Sequence, residues 1–222
     1  MAVSDTRPSQ TRGGGAVTPE GFLFELTGGA LCLDFVNTID NRPVGPTELL
    51  NTYGDLVAWA EQAGVLSPEL AGTLRTEATQ RPDAAAAALD GARTLREAAH
   101  AVLTAAVTGA AAPADSLGML EAAVPPSLAR RRLVQTATGF EWEWAYDDAA
   151  LDGLLAPVVE SAATLLTSPD LSRVRECEAE RCGWLFLDRS RNRSRRWCDM
   201  SVCGNRAKVR RHYQRTHQKA EV

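Results

Sequence analysis

Four cysteines fall within one 27-residue stretch: Cys177, four residues, Cys182, fifteen residues, Cys198, four residues, Cys203. Two short cysteine pairs separated by about fifteen residues have the form of a four-thiolate structural zinc site. Each short loop bends two thiolates toward one point, and the segment between the pairs brings the loops together. A tetrahedral ion then closes the shell with no open position for water. The stretch has little else to bury: mainly Trp184, Leu185, Phe186, Leu187, Trp197, Val202, Val209 and Tyr213. Ligation of one structural zinc can supply about 10–16 kcal/mol of apparent folding free energy at neutral pH. The competing readings are four unrelated thiols, or a pair used for redox sensing. His212 and His217 are not needed as ligands, because four cysteines complete the shell.

The same segment is basic. Residues 171–222 hold 14 of the 24 Lys and Arg but 6 of the 28 Asp and Glu, a net of +8, whereas the preceding 170 residues net −12. Such a footprint suits a polyanion, and the acidic body confines any contact to the tail. The cations form two groups. Arg189, Arg191, Arg193, Arg195 and Arg196 belong to an expected strand–turn–return between the cysteine pairs. Arg206, Lys208, Arg210, Arg211 and Arg215 belong to an uninterrupted, predicted helical run after Cys203. Arginine outnumbers lysine nine to one in this set, which suits bidentate contact with phosphate or guanine. The bland alternative is arginine paired with the acidic body. Trp184, Trp197 and Tyr213 are expected to pack around the metal, leaving no aromatic platform for single strands. Duplex DNA is therefore favoured over RNA, and an acidic protein partner is the other alternative.

The elements that must position this module come before it. Met1 to Glu20, with Gly13-Gly14-Gly15, reads as a flexible tail. Phe22–Leu26 reads as a strand, Thr27-Gly28-Gly29 as a turn, and Ala30–Val36 as a strand or a helix start. Pro46-Thr47-Glu48 predicts a short helix opening. Helices are predicted through Leu56–Ala63 with Gly64 as the stop, from the Ser67-Pro68 start, and over Asp83–Val107 ending at Gly109. Pro113 and Pro125-Pro126 bracket a shorter helix. Arg132–Thr136 and Phe140–Tyr146 predict a hairpin around Gly139, with Trp142 and Trp144 on one face for core or dimer packing. Leu151–Leu166 predicts a helix that Pro157 kinks or restarts. The expected fold is α+β: a helix-rich domain over 21–170 with small β-hairpins, then a treble-clef-like four-cysteine finger over 171–222. Cys32 is expected in the core.

The finger resembles the CGNR zinc finger family. The signature Cys203-Gly204-Asn205-Arg206 follows Arg195-Arg196-Trp197-Cys198-Asp199-Met200, and Phe186-Leu187-Asp188-Arg189-Ser190-Arg191-Asn192-Arg193-Ser194 fits the same pattern, over about 45 C-terminal residues. The N-terminal part resembles the ABATE domain through Leu33-Asp34-Phe35-Val36-Asn37-Thr38 and Arg42. The resemblance implies a bacterial stress-responsive transcriptional regulator, with a zinc-dependent DNA-binding finger that includes Asn205 and a domain that senses a small ligand.

Asp34, Asn37, Thr38 and Arg42 follow an apolar run, so they are the candidate polar lining of an effector pocket. The alternative is that Asn37 and Thr38 cap or turn the chain locally. No glycine-rich phosphate loop or serine elbow is present, and His100 is the one histidine before the finger, so no enzyme is expected. No apolar run approaches the roughly 20 residues of a membrane helix, and no secretory h-region precedes the body. A reducing cytoplasm is the expected compartment.

Overall fold

A computed structural model describes residues 9–10, 14–18, 21–147 and 150–218; for 9–10, 211–212 and 214–218 it describes the backbone only. Three antiparallel strands open the chain: β1 (Ser9–Gln10), β2 (Gly15–Thr18) and β3 (Gly21–Phe24). The expected tail therefore contains structure. Gly15 to Thr18 align with Phe24 to Gly21, and Ala16 and Phe24 are buried.

Helix α1 (Leu31–Val36) resolves the ambiguous apolar run. It buries Cys32, Leu33, Phe35 and Val36, while Asp34 turns back to accept from the Gly28 N–H at 2.7 Å. Strands β4 (Ile39–Asp40) and β5 (Thr47–Glu48) follow, so Thr47-Glu48 is strand where a helix opening was expected. The reason is tertiary. Both oxygens of Glu48 accept from the buried Arg96 guanidinium at 2.6 Å, and this fixes the segment extended across Ile39-Asp40.

Helices α2 (Tyr53–Gln62), α3 (Pro68–Gln80) and α4 (Pro82–Thr108) match the predicted pattern. Thr52 and Asp55 form a capping box on α2, and Ser67 caps α3 with Pro68 in its first turn. Gly109 ends α4 in the left-handed conformation at φ 72°. Helix α5 (Ala114–Leu128) runs through Pro125 and Pro126, where the sequence predicted a stop. Both prolines and the preceding Glu121 and Ala122 are exposed, so the carbonyls that lose their partners face solvent.

The predicted hairpin is β6 (Arg131–Thr136) with β7 (Gly139–Trp144). Helix α6 (Ala156–Thr167) starts with Pro157 in its first turn, after a single turn of 3-10 helix over Gly153–Leu155. Proline thus restarts the helix rather than kinking it. The last elements are β8 (Val174–Glu176), β9 (Leu185–Leu187) and α7 (Asn205–Gln218). The main core gathers α1, α2, α3, α4, α5 and α6, and Cys32 is fully buried in it as expected. Among the described residues no helix is long and apolar enough to cross a membrane.

Candidate metal centre and nucleic-acid interface

The finger is built on an antiparallel pair that brackets its first cysteine loop. Strands β8 and β9 align Val174 with Leu187 and Glu176 with Leu185, with Cys177 and Cys182 in the connection between them. The strand expected between the two cysteine pairs is present as β9, but it pairs with β8 before the first cysteine and not with a return strand. No strand returns from 188 to 197, because Asp188 closes that loop instead. Its buried carboxylate accepts from the Ser190 and Arg195 backbone N–H groups at 2.9 and 3.0 Å. Burial opposes ionisation of Asp188, but these hydrogen bonds and the Ser190 hydroxyl outweigh it and hold the carboxyl below its ordinary range.

The second cysteine pair sits at a helix start. Asp199 caps a wide turn over Met200–Gly204 by accepting from the Val202 N–H, and the chain passes directly into α7. The four thiols are buried and their sulfur atoms lie within 4.8 Å of one another. Cys182 to Cys198 and Cys198 to Cys203 are each 3.6 Å. Zinc–sulfur bonds of about 2.3 Å at tetrahedral angles place sulfurs just under 4 Å apart, so the cluster has the size of one ion. Without a metal the four thiols can only share protons: hydrogen bonds from Cys182, Cys198 and Cys203 favour the thiolate at Cys177, while Cys182 and Cys198 keep their protons. One structural zinc, held by Cys177, Cys182, Cys198 and Cys203, replaces those protons.

Strand β9 is a wall shared by two cores. Its period-2 alternation sends Leu185 and Leu187 into the helical core, and Trp184 and Phe186 toward the cysteines. The backbone of this wall is clamped by residues the sequence nominated for a pocket. Asn37 donates Nδ2 to the Leu185 carbonyl at 2.8 Å, and its Oδ1 accepts from the Leu185 N–H at 3.0 Å. Trp184 Nε1 donates to the Ile39 carbonyl, and the Leu187 N–H to the Gly28 carbonyl. Gly183 makes close approach possible: at φ 70°, a Cβ there would lie 3.0 Å from Pro43 Cδ.

The remaining members of that group are engaged in the same way. Thr38 donates to the Phe35 carbonyl and accepts from Arg96. Arg42 pairs with Glu97 at 2.8 Å and donates to the Val36 carbonyl. Asp34, Asn37, Thr38 and Arg42 are thus engaged with the backbone and with one ion-pair network. The local-bond alternative, made for Asn37 and Thr38, describes Thr38 but not Asn37. The sequence held no signal for the 148-residue reach from Asn37 to Leu185.

The cations separate by what they touch. Arg195 is a strut: it stacks over Phe186 at 4.6 Å and donates to the carbonyls of Trp197, Cys198 and Thr27. Arg196 stacks over Trp197 and pairs with Glu178; Arg210 pairs with Glu180. Asn205 donates to the Ser201 carbonyl and secures the helix start. Arg206 faces Glu25 and Asp40. Burial raises both carboxyls, and the Arg206 charge pulls them back. By contrast Arg189, Arg191, Arg193 and Lys208 are exposed, with no side-chain hydrogen bond or ion pair among the described residues. Arg211, Arg215, His212 and His217 lie on α7, but their side chains are outside the described residues.

Sequence reasoning missed Arg181, which stands inside the first cysteine loop. It borders a groove of about 620 Å³ along α7, together with Asn205, Arg206, Val209, Arg210 and Tyr213. A cue was present: of the four residues in the Cys-x4-Cys loop, Glu178, Glu180 and Arg181 are charged and stay at the surface, while Ala179 packs on the cysteines. Tyr213 is 60% exposed and does not pack around the metal, contrary to expectation. Trp184 is buried against the cysteines as expected.

A search of curated proteins returned no match. Residues 173–216 match the model of the CGNR zinc finger. Residues 29–169 match the model of ABATE, described as a putative stress-induced transcription regulator. With most of its length covered by that match and the finger docked on the same core, the chain belongs to the ABATE family and carries a CGNR zinc finger.

Proposed function

We propose that the protein is a zinc-dependent DNA-binding transcriptional regulator, a binding protein rather than an enzyme. One observation carries this reading. The loop after β9 exposes Arg189, Arg191 and Arg193, and α7 exposes Lys208, none of them with a side-chain hydrogen bond or ion pair among the described residues. Unpaired guanidiniums on a rigid frame are what phosphate and guanine contacts require. The family description supports a regulatory role. The loop is the leading contact, since on α7 Arg210 is already paired with Glu180 and Arg206 borders Glu25 and Asp40.

The test is binding of the zinc-loaded protein to random-sequence duplex DNA across a salt series, with selection for enriched sequences. Four to six phosphate contacts give a log–log salt slope of about −4 to −5. Arg191→Ala with Arg193→Ala should weaken binding and flatten that slope by about two, with zinc content unchanged. Tight binding of single-stranded RNA without duplex affinity would replace this reading, and Tyr213 beside the basic groove is the observation favouring that second reading. Ligand sensing by the body belongs to the same proposal. Its experiment is a ligand-dependent shift in DNA affinity.

A further inference from the structure

The β6–β7 hairpin stands out from the body as an arm. Its base is tied by the Ala145 N–H to the Arg130 carbonyl, and by Tyr146, whose hydroxyl donates to the Val65 carbonyl. Beyond that base one face is apolar and bare. Phe140, Trp142 and Leu133 are 68, 59 and 59% exposed, and Leu133 lies directly across from Trp142. Aromatic side chains of about 150–250 Å² each make this strip worth on the order of 400 Å². That is about half of the roughly 800 Å² each partner gives to a standard interface.

The other half lies next to it. Between α5 and α6 runs a cleft of about 250 Å³ walled by Val124, Leu128, Val159, Glu160 and Ala163. It is smaller than ligand sites, which begin at about 300 Å³, and fits a large side chain instead. The arm and the cleft share one side of the molecule. Arg131 stacks over both Trp142 and Trp144, at 5.1 and 5.2 Å, and its guanidinium pairs with Glu160 on the cleft wall. A knob and a hole on the same face of one chain are self-complementary under a two-fold axis.

We infer that the occupant is a second copy of this chain: each hairpin seats Trp142 in the α5–α6 cleft of its partner and lays Phe140 and Leu133 over the cleft's rim, forming a two-fold dimer. The exposed apolar arm is then an interface rather than a liability. A dimer would also present two arginine loops, a consequence that rests on the nucleic-acid reading; the oligomeric state itself does not.

The experiment is sedimentation equilibrium of the full zinc-loaded chain over a concentration series. It compares wild type, the double variant Phe140→Ser with Trp142→Ser, and Ala163→Leu, which fills the cleft without touching the arm. Zinc content and circular dichroism confirm that each variant folds. Expected is a wild-type dimer, with dissociation at least about 30-fold easier in the arm variant, the loss of one hot-spot side chain or more, and a comparable loss in Ala163→Leu. A wild-type monomer at every concentration overturns the proposal, as does a dimer that survives the arm substitutions. A dimer lost in the arm variant but intact in Ala163→Leu overturns the seating in the cleft.

Discussion

The helical body and the finger are stabilised by different means. The body buries a broad apolar core drawn from six helices. The finger's own cluster is four cysteines with Trp184 and Phe186, bordered by Ala179 and Trp197. The body is held by removal of apolar surface from water; the finger needs its metal. Yet β9 belongs to both, giving alternate side chains to each. The difference teaches that two modules with separate family matches can form one cooperative unit, because a single strand cannot leave one core without disturbing the other.

The sharpest way to break this comparison is to remove the metal. Cys203→Ser or a strong chelator should abolish the finger's fold, a loss on the scale of the roughly 10 kcal/mol or more that a structural zinc supplies. Calorimetry should show the body melting at lower temperature as well, as one transition. A body transition that chelation leaves untouched would separate the two cores.

Next in size is the clamp. Asn37→Ala leaves a buried N–H and carbonyl of Leu185 unpaired, at about 1–3 kcal/mol each. Urea denaturation of zinc-loaded protein should show a loss of about 2–5 kcal/mol. A change under about 0.5 kcal/mol would mean that the strand holds its place without Asn37.

Two titrating groups sharpen the comparison through pH. Burial pushes Asp34 up to about 6 despite the Gly28 N–H, so the stability tied to it falls as pH rises from about 4 to 6. Burial, aided by the positive charge of Arg42, brings His100 down to about 4 despite a hydrogen bond to the Gly183 backbone. The stability tied to His100 is present above about 6.5 and is lost as pH falls toward 4. The two slopes oppose each other, each spanning at most about 3 kcal/mol. Asp34→Asn should therefore steepen the rise of Tm from pH 4 to 6.5, and His100→Gln should reverse its sign. Parallel profiles for both variants would refute the assignment.

The smallest expected effect concerns Arg196. It is exposed and paired with Glu178, so Arg196→Ala should lower DNA affinity by less than either Arg191→Ala or Arg193→Ala in the same salt series. An equal loss would make the ion pair no barrier to phosphate contact.

Much of this was legible in the sequence because its causes are local. Cysteine spacing defines the ligands, since two short loops converge on one ion. The Ser67-Pro68 start and the Gly109 stop follow from capping geometry within a few residues. Strand alternation was visible at Trp142 and Trp144. What the sequence hid depends on partners far along the chain. Glu48 is strand because Arg96 reaches it from α4. Asp188 ends the expected strand return by capping its own loop, and Asn37 is a clamp because Leu185 packs beside it. The sequence by itself, through cysteine spacing, the distribution of charge and helix start and stop signals, determined that a zinc-tied basic segment follows an acidic, helix-rich body. Tertiary structure alone decided which arginines are struts, which are paired and which stand free. Charge is a property of a residue, but availability depends on what folding places within reach.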